Sequence, residues 1–276
     1  SQAAIGSNIT AMGQTGEVGD LIYSAHTAIL QLDVQLLRPN GSLSPNISSV
    51  TLNSNDAMEG ASLDQIIDVV VDGQRILVAI SGLGNFVSTH LLSDTGVLSG
   101  GAMHVAGSGT GYYVPSQVEA VQFGNKTFLV IAGATSSSLT VFRLDKTGTL
   151  TTTDHIVDEL TTRFQSVSAF ATAVVDGRAF VFAGGADDGI SVFTLLPNGR
   201  LVFMHSIADT DAMTLSNVGE IKAHVVDGRI ALYVASKYEV GITQLLFDPG
   251  DIRTTGFAGA GTHTGTGGDD MLVASD

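Results

Sequence analysis

Glu119, Lys222 and His224 are the residues whose types together could hydrolyse an ester or a lactone. That reaction needs a base, an activated water or nucleophile, and a donor for the developing oxyanion. The three residues are far apart in the chain, so only the fold can bring them together. The alternative is that they are ordinary solvated or hydrogen-bonded side chains. The sequence contains no G-x-S-x-G, H-E-x-x-H or G-x-x-x-x-G-K-[ST] motif and no cysteine.

Two pairs of aspartates could contribute to calcium binding, because Ca²⁺ takes six to eight oxygen ligands, largely from carboxylates and carbonyls. Asp187 and Asp188 form one pair, within "GGADDGI". Asp269 and Asp270 form the other, within "GTGGDDMLVASD". In each case there is a simpler interpretation: Asp-Asp-Gly is also a good turn sequence, and the second pair could belong to a polar tail.

A repeat in the sequence predicts the strands and turns that position these residues. The segments "VVVDGQRILVAISG", "AVQFGNKTFLVIAG", "AVVDGRAFVFAGG" and "HVVDGRIALYVAS" each consist of an apolar run, a glycine turn and a second apolar run. Their turn glycines are Gly73, Gly124, Gly177 and Gly228, which subtraction places 51, 53 and 51 residues apart. Asp-Gly and Asn-Gly favour the positive φ angles of two-residue hairpin turns.

A second series of turns has the same period. The segments "SDTGVL", "DKTGTL", "LPNGRL" and "FDPGDI" carry Gly96, Gly148, Gly199 and Gly250. Earlier in the chain, Gly19 and Gly41 extend both series by one unit. The sequence therefore contains five units, and each reads as a four-stranded antiparallel meander.

Meanders of about 50 residues are typical of β-propeller blades, so the predicted fold class is all-β, a β-propeller of four-stranded antiparallel blades. The five visible units either close a five-bladed ring or form part of a seven-bladed one. We assign residues 1–254 to the blades. Residues 255–276 are assigned to a Gly/Thr-rich linker and the beginning of a different repeat.

The meander sorts the polar residues into two groups. The connections between second and third strands are expected to face a ligand, and these residues lie there: His26, Asn85, Asp187, Asp188, Lys237, Tyr238 and Glu239. The first strand of each blade is expected to line the channel, and these residues lie on it: Asp68, Glu119, Thr172, Lys222 and His224.

Two segments resemble blades of the lactonase-like seven-bladed β-propellers. They are "LTVFRLDKTGTLTTTDHI" and "ISVFTLLPNGRLVFMHSI", in which an apolar "V-F" strand leads into a "D/N-G-x-L" turn. The resemblance extends over residues 19–252 and its motif is structural. The resemblance implies that these segments form propeller blades. It also implies an alternative function, that of an enzyme of lactonase or lyase type with its site at the channel mouth.

The segment "GTGGDDMLVASD" resembles the start of haemolysin-type (RTX) repeats, which read G-G-x-G-x-D-x-U-x. Gly267, Gly268, Asp269, Asp270 and Leu272 match the pattern, whereas Ala274 stands where a glycine is expected. The resemblance implies a partial calcium half-site here, completed only in a longer protein. It also implies type I secretion and an extracellular or cell-surface location.

Composition narrows the possible partners. The formal net charge is −15, which disfavours nucleic acid and anionic membranes. No apolar run approaches the roughly 18 residues needed to span a membrane. The sequence thus favours the N-terminal propeller of a secreted or cell-surface bacterial RTX-type protein. We expect it to act as a binding, adhesion or scaffold module for an extracellular glycan, polymer or protein.

Overall fold

A computed structural model describes residues 7–15, 19–26, 30–52, 60–107, 109–250, 253–258 and 270–275. Every regular element in these ranges is a β-strand, which confirms the all-β prediction. Within the same ranges, no helix is long and apolar enough to cross a membrane. Residue contacts divide the chain into two compact units, 1–120 with 126–157 and 121–125 with 158–276.

The first unit contains two four-stranded antiparallel sheets and most of a third. Sheet 1 consists of β1 (Ser7–Thr15), β2 (Gly19–His26), β3 (Gln31–Leu36) and β4 (Ser48–Thr51). Sheet 2 consists of β5 (Gln65–Val71), β6 (Gln74–Ser81), β7 (Phe86–Leu92) and β8 (Leu98–Val105). Sheet 3 consists of β9 (Pro115–Phe123), β10 (Lys126–Gly133), β11 (Ser138–Leu144) and β12 (Leu150–Val157). In each sheet, strands that are neighbours in sequence are neighbours in space, as a meander requires.

The second unit repeats the arrangement with one difference. Sheet 4 consists of β13 (Ala169–Val175), β14 (Arg178–Gly184), β15 (Gly189–Leu195) and β16 (Leu201–Ala208). Sheet 5 has only three described strands, β17 (Val218–Val226), β18 (Arg229–Ser236) and β19 (Thr243–Phe247). The next strand, β20 (Arg253–Ala258), pairs in parallel with β21 (Asp270–Ser275) instead. The described part of the fifth sequence repeat therefore lacks the fourth strand that the repeat predicts.

The repeated glycines occupy equivalent hairpin turns, as their spacing predicts. Asp72 and Gly73, between β5 and β6, have φ angles of 47° and 82°, so both central residues are left-handed as in a type I′ turn. The Asp-Gly pairs ending at Gly177 and Gly228 repeat this geometry. Gly124 has φ 62° at the first central position of its turn, where a type II′ turn requires it.

Successive sheets of each unit pack face to face. Side chains of β6 alternate between two clusters: Leu77 and Ala79 face sheet 1, whereas Ile76 and Val78 face sheet 3. A strand with both faces buried reads as a continuous apolar run, which is what "ILVAI" is. In the second unit, Phe182 belongs to an equivalent cluster between sheets 4 and 5. Each buried Leu, Ile, Val or Phe side chain of these clusters stabilises the fold by roughly 1.5–3 kcal/mol.

A buried polar network joins sheets 1 and 2. Tyr23 Oη on β2 donates to Asp68 Oδ2 on β5 at 2.8 Å. Arg75 on β6 forms an ion pair with the same carboxylate and donates to Tyr23 Oη at 2.6 Å. The side chains of Arg75 and Asp68 are only 11% and 16% exposed. Burial and the neighbouring Asp68 raise the pKa of Tyr23. The first-strand aspartate Asp68 therefore has a structural role between two sheets.

His90 on β7 is buried, and we expect it to make stability depend on pH. Its Nε2 lies 3.2 Å from Ser88 Oγ, and burial lowers its pKa to about 4. As the pH falls below about 6.5, the unfolded chain takes up a proton here before the folded chain does. This residue alone should lower the free energy of unfolding by about 3 kcal/mol between pH 6.5 and 4.

Denaturant unfolding of the wild type and of His90→Gln at pH 7 and pH 4 measures this effect. The variant should lose less stability over that interval than the wild type. His205→Gln, at an exposed strand position, is the matched control and should behave like the wild type. Equal losses in the wild type and His90→Gln would show that His90 is not the source.

Candidate functional site

A groove of about 450 Å³ lies in the second unit, where the connection β12–β13 meets the connection β14–β15. In antiparallel meanders these two kinds of connection lie at the same end of the strands. The groove therefore occupies the end at which the sequence predicts ligand-facing residues. Its lining residues are Asp158, Glu159, Leu160, Thr162, Arg163, Gln165 and Asp187.

The β12–β13 connection is held by its own side chains. Asp158 Oδ1 accepts hydrogen bonds from Thr162 Oγ1 at 2.7 Å and from Phe164 N at 3.1 Å. Phe164 is fully buried and packs edge-to-face on Phe193 of β15, with ring centroids 5.7 Å apart. The buried ring anchors the loop, so Asp158 and its neighbours keep a fixed position at the groove.

Asp187 is a titratable group of the groove, and its environment raises its pKa. Its Oδ1 accepts a hydrogen bond from Gln165 N at 3.1 Å, and Gln165 O accepts one from Ala186 N at 2.7 Å. Burial raises the pKa of the Asp187 carboxyl, and the charge of Asp158 raises it further. The Gln165 amide and Arg163 oppose the shift without cancelling it. A carboxyl of raised pKa in a groove is a candidate acid or base.

Arg163 is fixed beside Asp187. Its Nη1 donates to the main-chain oxygens of Asp187 at 3.0 Å and of Asp188 at 3.2 Å. Its main-chain N donates to Ser191 Oγ at 2.7 Å. A Cβ at Gly189 would lie 2.5 Å from Arg163 Cδ, so glycine at this position leaves room for the side chain. The groove thus holds a positioned guanidinium next to a carboxyl of raised pKa.

Asp188 connects the groove to the loop that precedes sheet 5. Its Oδ1 accepts hydrogen bonds from Ser216 Oγ at 3.0 Å and from Asn217 N at 2.9 Å. Its φ angle is 52°, a left-handed conformation that Asp adopts more readily than most residues. This bridge holds the β14–β15 connection, and with it both main-chain oxygens that Arg163 contacts.

The structure places the three catalytic candidates on first strands, as predicted. Lys222 and His224 are exposed on β17, and Lys222 Nζ lies 2.6 Å from Glu220 Oε1. Glu119 is half-buried on β9 and accepts a hydrogen bond from Gln117 Nε2 at 3.2 Å. Lys222 and His224 thus share one strand of the second unit, whereas Glu119 belongs to the first unit. Thr172 also lies on a first strand, β13.

The predicted ligand-facing residues lie in second-to-third-strand connections. Asn85 is in the β6–β7 connection, where its Oδ1 accepts a hydrogen bond from Val114 N at 2.9 Å. Lys237, Tyr238 and Glu239 are in the β18–β19 connection. There Glu239 Oε2 accepts a hydrogen bond from Ser216 N at 2.9 Å. His26 ends β2, and its side chain is outside the described part of the structure.

The calcium assignments remain predictions. Asp187 and Asp188 are neighbours, but each carboxylate accepts hydrogen bonds from main-chain N–H groups. Within the described ranges, no group of three or more His, Asp or Glu side chains is placed to hold a metal ion. Asp269 lies outside the described residues, and of Asp270 only the backbone, in β21, is described.

A second groove, of about 540 Å³, lies at the turn end of the second unit. It is lined by Asp176, Asp227, Gly228, Arg229, Asp248 and Gly250. All but Arg229 belong to turn segments of the repeat, where Asp and Gly are required by backbone geometry. The residue types of this groove are therefore explained by folding.

Asp158, Arg163 and Gln165 were not among the site residues that the sequence predicts. The sequence feature that could have identified them is a local cluster of charge. Residues 157–165, "VDELTTRFQ", contain three charged residues in nine, whereas the whole chain is 14% charged. Such a cluster in a connection is a better indicator of a site than residues on the first strands, because connections carry binding residues more often than the scaffold does.

Comparison with known proteins supports the fold. No family model and no curated protein matches the sequence. A periplasmic gluconolactonase from Pseudomonas aeruginosa superposes with a TM-score of 0.59 at 14% identity, over 87% of this chain and 70% of that one. A putative 6-phosphogluconolactonase from Bacteroides fragilis gives 0.56 at 15% identity, over 86% and 70%. A protein from Lactobacillus plantarum gives 0.55 at 16% identity, over 87% and 71%.

At these identities the likeness shows the fold alone. The chain has a lactonase-like β-propeller fold, which confirms the predicted fold class. These similarities do not show the haemolysin-type repeat, which stays a prediction.

Proposed function

We propose that this propeller binds a sugar-derived lactone in the groove at Asp158–Asp187 and hydrolyses it. The observation that carries the proposal is a carboxyl of raised pKa, Asp187, beside the fixed guanidinium of Arg163. This is the function that the sequence offered only as the alternative. The residues proposed to carry out the reaction are Asp187 and Arg163, not Glu119, Lys222 and His224.

In the proposed reaction Asp187 is the general base. A water oxygen attacks the lactone carbonyl carbon while the ionised carboxylate takes the water proton. Arg163 donates to the carbonyl oxygen as it becomes negative, which stabilises the tetrahedral intermediate. The bond between the carbonyl carbon and the ring oxygen then breaks, and the ring oxygen leaves with the proton from Asp187. The product is an open-chain sugar acid.

The raised pKa of Asp187 suits this role. A base works best when its pKa lies near the working pH, because it is then ionised yet still basic enough to accept a proton. Burial and Asp158 shift the pKa in that direction. The rate of hydrolysis is therefore expected to increase as the pH rises through the raised pKa of Asp187.

Two observations indicate which lactone is the substrate: the similar solved structures and the charge of the groove. Two of the similar solved structures are described as gluconolactonases, one of them putatively of the 6-phosphate. The groove contains three acidic residues, Asp158, Glu159 and Asp187, and one cation, Arg163. Such a groove repels a phosphate dianion. We therefore propose a neutral, unphosphorylated aldonolactone as substrate, whose anionic product is then repelled from the groove.

A direct assay tests the proposal. The purified chain is mixed with D-glucono-1,5-lactone near pH 6.5, and acid release is followed with an indicator against the spontaneous reaction. The proposal expects acceleration of this lactone and a much smaller effect on its 6-phosphate. Absence of acceleration with any aldonolactone would refute the proposed reaction.

A second candidate is glycan binding without hydrolysis, in a secreted protein with calcium-binding repeats. One observation favours it: β20 and β21 are parallel, and Arg253 pairs with Asp270, 17 residues later. Two nine-residue repeats of a parallel β-helix span about 18 residues. On this proposal, calcium binds at Asp269 and Asp270 once further repeats complete the site. A location outside the cytoplasm is part of the proposal, and the periplasmic gluconolactonase is consistent with it.

A further inference from the structure

A chain of hydrogen bonds holds the β12–β13 connection at the groove, and its central residue is Ser191 on β15. Arg163 N donates to Ser191 Oγ at 2.7 Å, and Ser191 is fully buried. Ser206 Oγ on β16 donates to Thr161 O at 2.8 Å and lies 3.2 Å from Ser191 Oγ. Because a hydroxyl has one proton and Ser206 gives its proton to Thr161, the Ser191 hydroxyl donates to Ser206 Oγ. The connection is therefore fixed on both sides of Thr162.

Equivalent residues form the same kind of hydrogen bond in two other sheets. In sheet 3, Thr140 Oγ1 donates to Gly111 O at 2.7 Å, and in sheet 5, Thr214 N donates to Thr243 Oγ1 at 2.6 Å. Subtraction places Thr140, Ser191 and Thr243 51 and 52 residues apart, as the repeat requires. A hydroxyl on the third strand thus holds the preceding connection in sheets 3, 4 and 5. We call this arrangement the connection framework.

Sheet 4 differs from sheet 3 in the side chain that the connection framework holds. In sheet 3 the connection residue is Gly111, and the third strand begins with Ser138, whose Oγ donates to Gly111 O at 3.0 Å. In sheet 4 the connection residue is Arg163, and the third strand begins with Gly189. A Cβ at Gly189 would lie 2.5 Å from Arg163 Cδ. The arginine in sheet 4 therefore lies where sheet 3 has a side chain of its third strand.

The carboxylate of the groove also stands where sheet 3 has a structural side chain. Gln165 N donates to Asp187 Oδ1 at 3.1 Å, and the equivalent Tyr113 N donates to Ser136 Oγ at 3.0 Å. A neutral hydroxyl is thus sufficient for this hydrogen bond. The first unit forms the connection framework without an arginine or a carboxylate at these positions, so neither charge is needed to hold the connection.

We propose that Ser191 is the positioning residue for Arg163, because it fixes the main chain of Arg163 so that the guanidinium lies beside Asp187. The inference rests on the proposed function, since it gives Ser191 a part in the reaction that Arg163 assists. Ser191 does not line the groove. It acts through Arg163 Nη1, which donates to the main-chain oxygens of Asp187 and Asp188. A misplacement of about 1 Å in such a group can cost about 100-fold in rate.

Steady-state hydrolysis of D-glucono-1,5-lactone by two Ser191 variants tests the proposal. Ser191→Ala removes the acceptor for Arg163 N with little change in size, so kcat should fall by about 10- to 100-fold while KM changes little. Ser191→Thr should keep most of the rate, because threonine has the equivalent role in sheets 3 and 5. Thr140→Val removes the hydroxyl from the connection framework of sheet 3. It is the matched control and should hydrolyse near the wild-type rate.

The pH profile separates positioning from a general loss of folded protein. The charge of Arg163 lowers the pKa of the Asp187 carboxyl, whereas that of Asp158 raises it. If the guanidinium moves away in Ser191→Ala, the Asp187 pKa should rise further, and the pH of half-maximal kcat should shift upward. A variant that only contains fewer folded molecules would keep the wild-type profile at a lower amplitude.

Amide hydrogen exchange of the ¹⁵N-labelled chain distinguishes failure of this inference from failure of the proposed function. The Arg163 amide should exchange about 10-fold faster in Ser191→Ala than in the wild type and Ser191→Thr, because its acceptor is lost. If the wild type accelerates no aldonolactone, the proposed function fails and the catalytic part of this inference fails with it. The exchange rates then still decide whether Ser191 fixes Arg163. With an active wild type, a wild-type kcat and pH profile in Ser191→Ala, or unchanged Arg163 exchange, would overturn the inference.

Discussion

Replacing Asp187 with asparagine is expected to lower kcat for lactone hydrolysis by about 100- to 10,000-fold, the contribution of a positioned general base. Asparagine keeps the size of the side chain and an oxygen that can accept the Gln165 N–H, which lies 3.1 Å from Oδ1. It cannot take a proton from water. The loop should therefore remain in place while the chemical step fails, so KM should change little compared with kcat.

Asp211→Asn provides the control for this experiment. Asp211 is an exposed aspartate in the β16–β17 connection and does not line the groove. The substitution makes the same change in charge and should leave hydrolysis near the wild-type rate. If Asp187→Asn retained full activity, Asp187 would not be the base. If both variants lost activity equally, loss of negative charge rather than loss of the base would be the cause.

Replacing Asp68 with alanine is expected to destabilise the first unit by about 3–5 kcal/mol, the usual effect of removing one partner of a buried ion pair. Arg75 and Tyr23 would then be left buried without the carboxylate that both contact. Chemical denaturation followed by tyrosine fluorescence measures the change. Asp68→Asn should fall between the wild type and alanine, because it keeps an acceptor for Tyr23 but loses the charge.

Glu220→Ala is the matched control for Asp68→Ala. Glu220 pairs with Lys222 at 2.6 Å, but their side chains are 58% and 71% exposed. Exposed ion pairs contribute about 0–1 kcal/mol, because water screens them. A loss below about 1 kcal/mol in Asp68→Ala would mean that the Tyr23–Asp68–Arg75 network is replaced by other contacts.

The sequence predicts the strands and turns well because their causes are local. Asp72 and Gly73 adopt a left-handed turn through their own backbone preferences, and each of the apolar runs beside them is short and continuous. A period of 51–53 residues then repeats these local preferences along the chain. The described part of sheet 5 has three strands where the repeat predicts four. Local preferences do not predict this difference, because "FDPGDI" keeps the turn while β20 pairs with β21.

The groove depends on contacts that the sequence does not display. Asp158 and Asp187 are 29 residues apart by subtraction, and they meet because two connections lie at one end of sheet 4. The raised pKa of Asp187 arises from burial and from Asp158, neither of which can be read from residue type. From the sequence, Asp187 is a ligand-facing residue and a candidate calcium ligand, not a base. The catalytic candidates Glu119, Lys222 and His224 follow from residue type alone, which carries no information on exposure.

Titration of the ¹⁵N-labelled chain with D-gluconolactam, a neutral lactone mimic that resists hydrolysis, tests the location of the site most directly. We predict that the largest amide shifts occur at Gln165, Ala186 and Asp187, because Gln165 N donates to Asp187 Oδ1 and Ala186 N donates to Gln165 O beside the groove. These shifts should saturate and should be weakened in Arg163→Met. Saturable shifts centred on other residues, or no shifts at these three amides at saturating lactam, would contradict the assignment of this groove as the site.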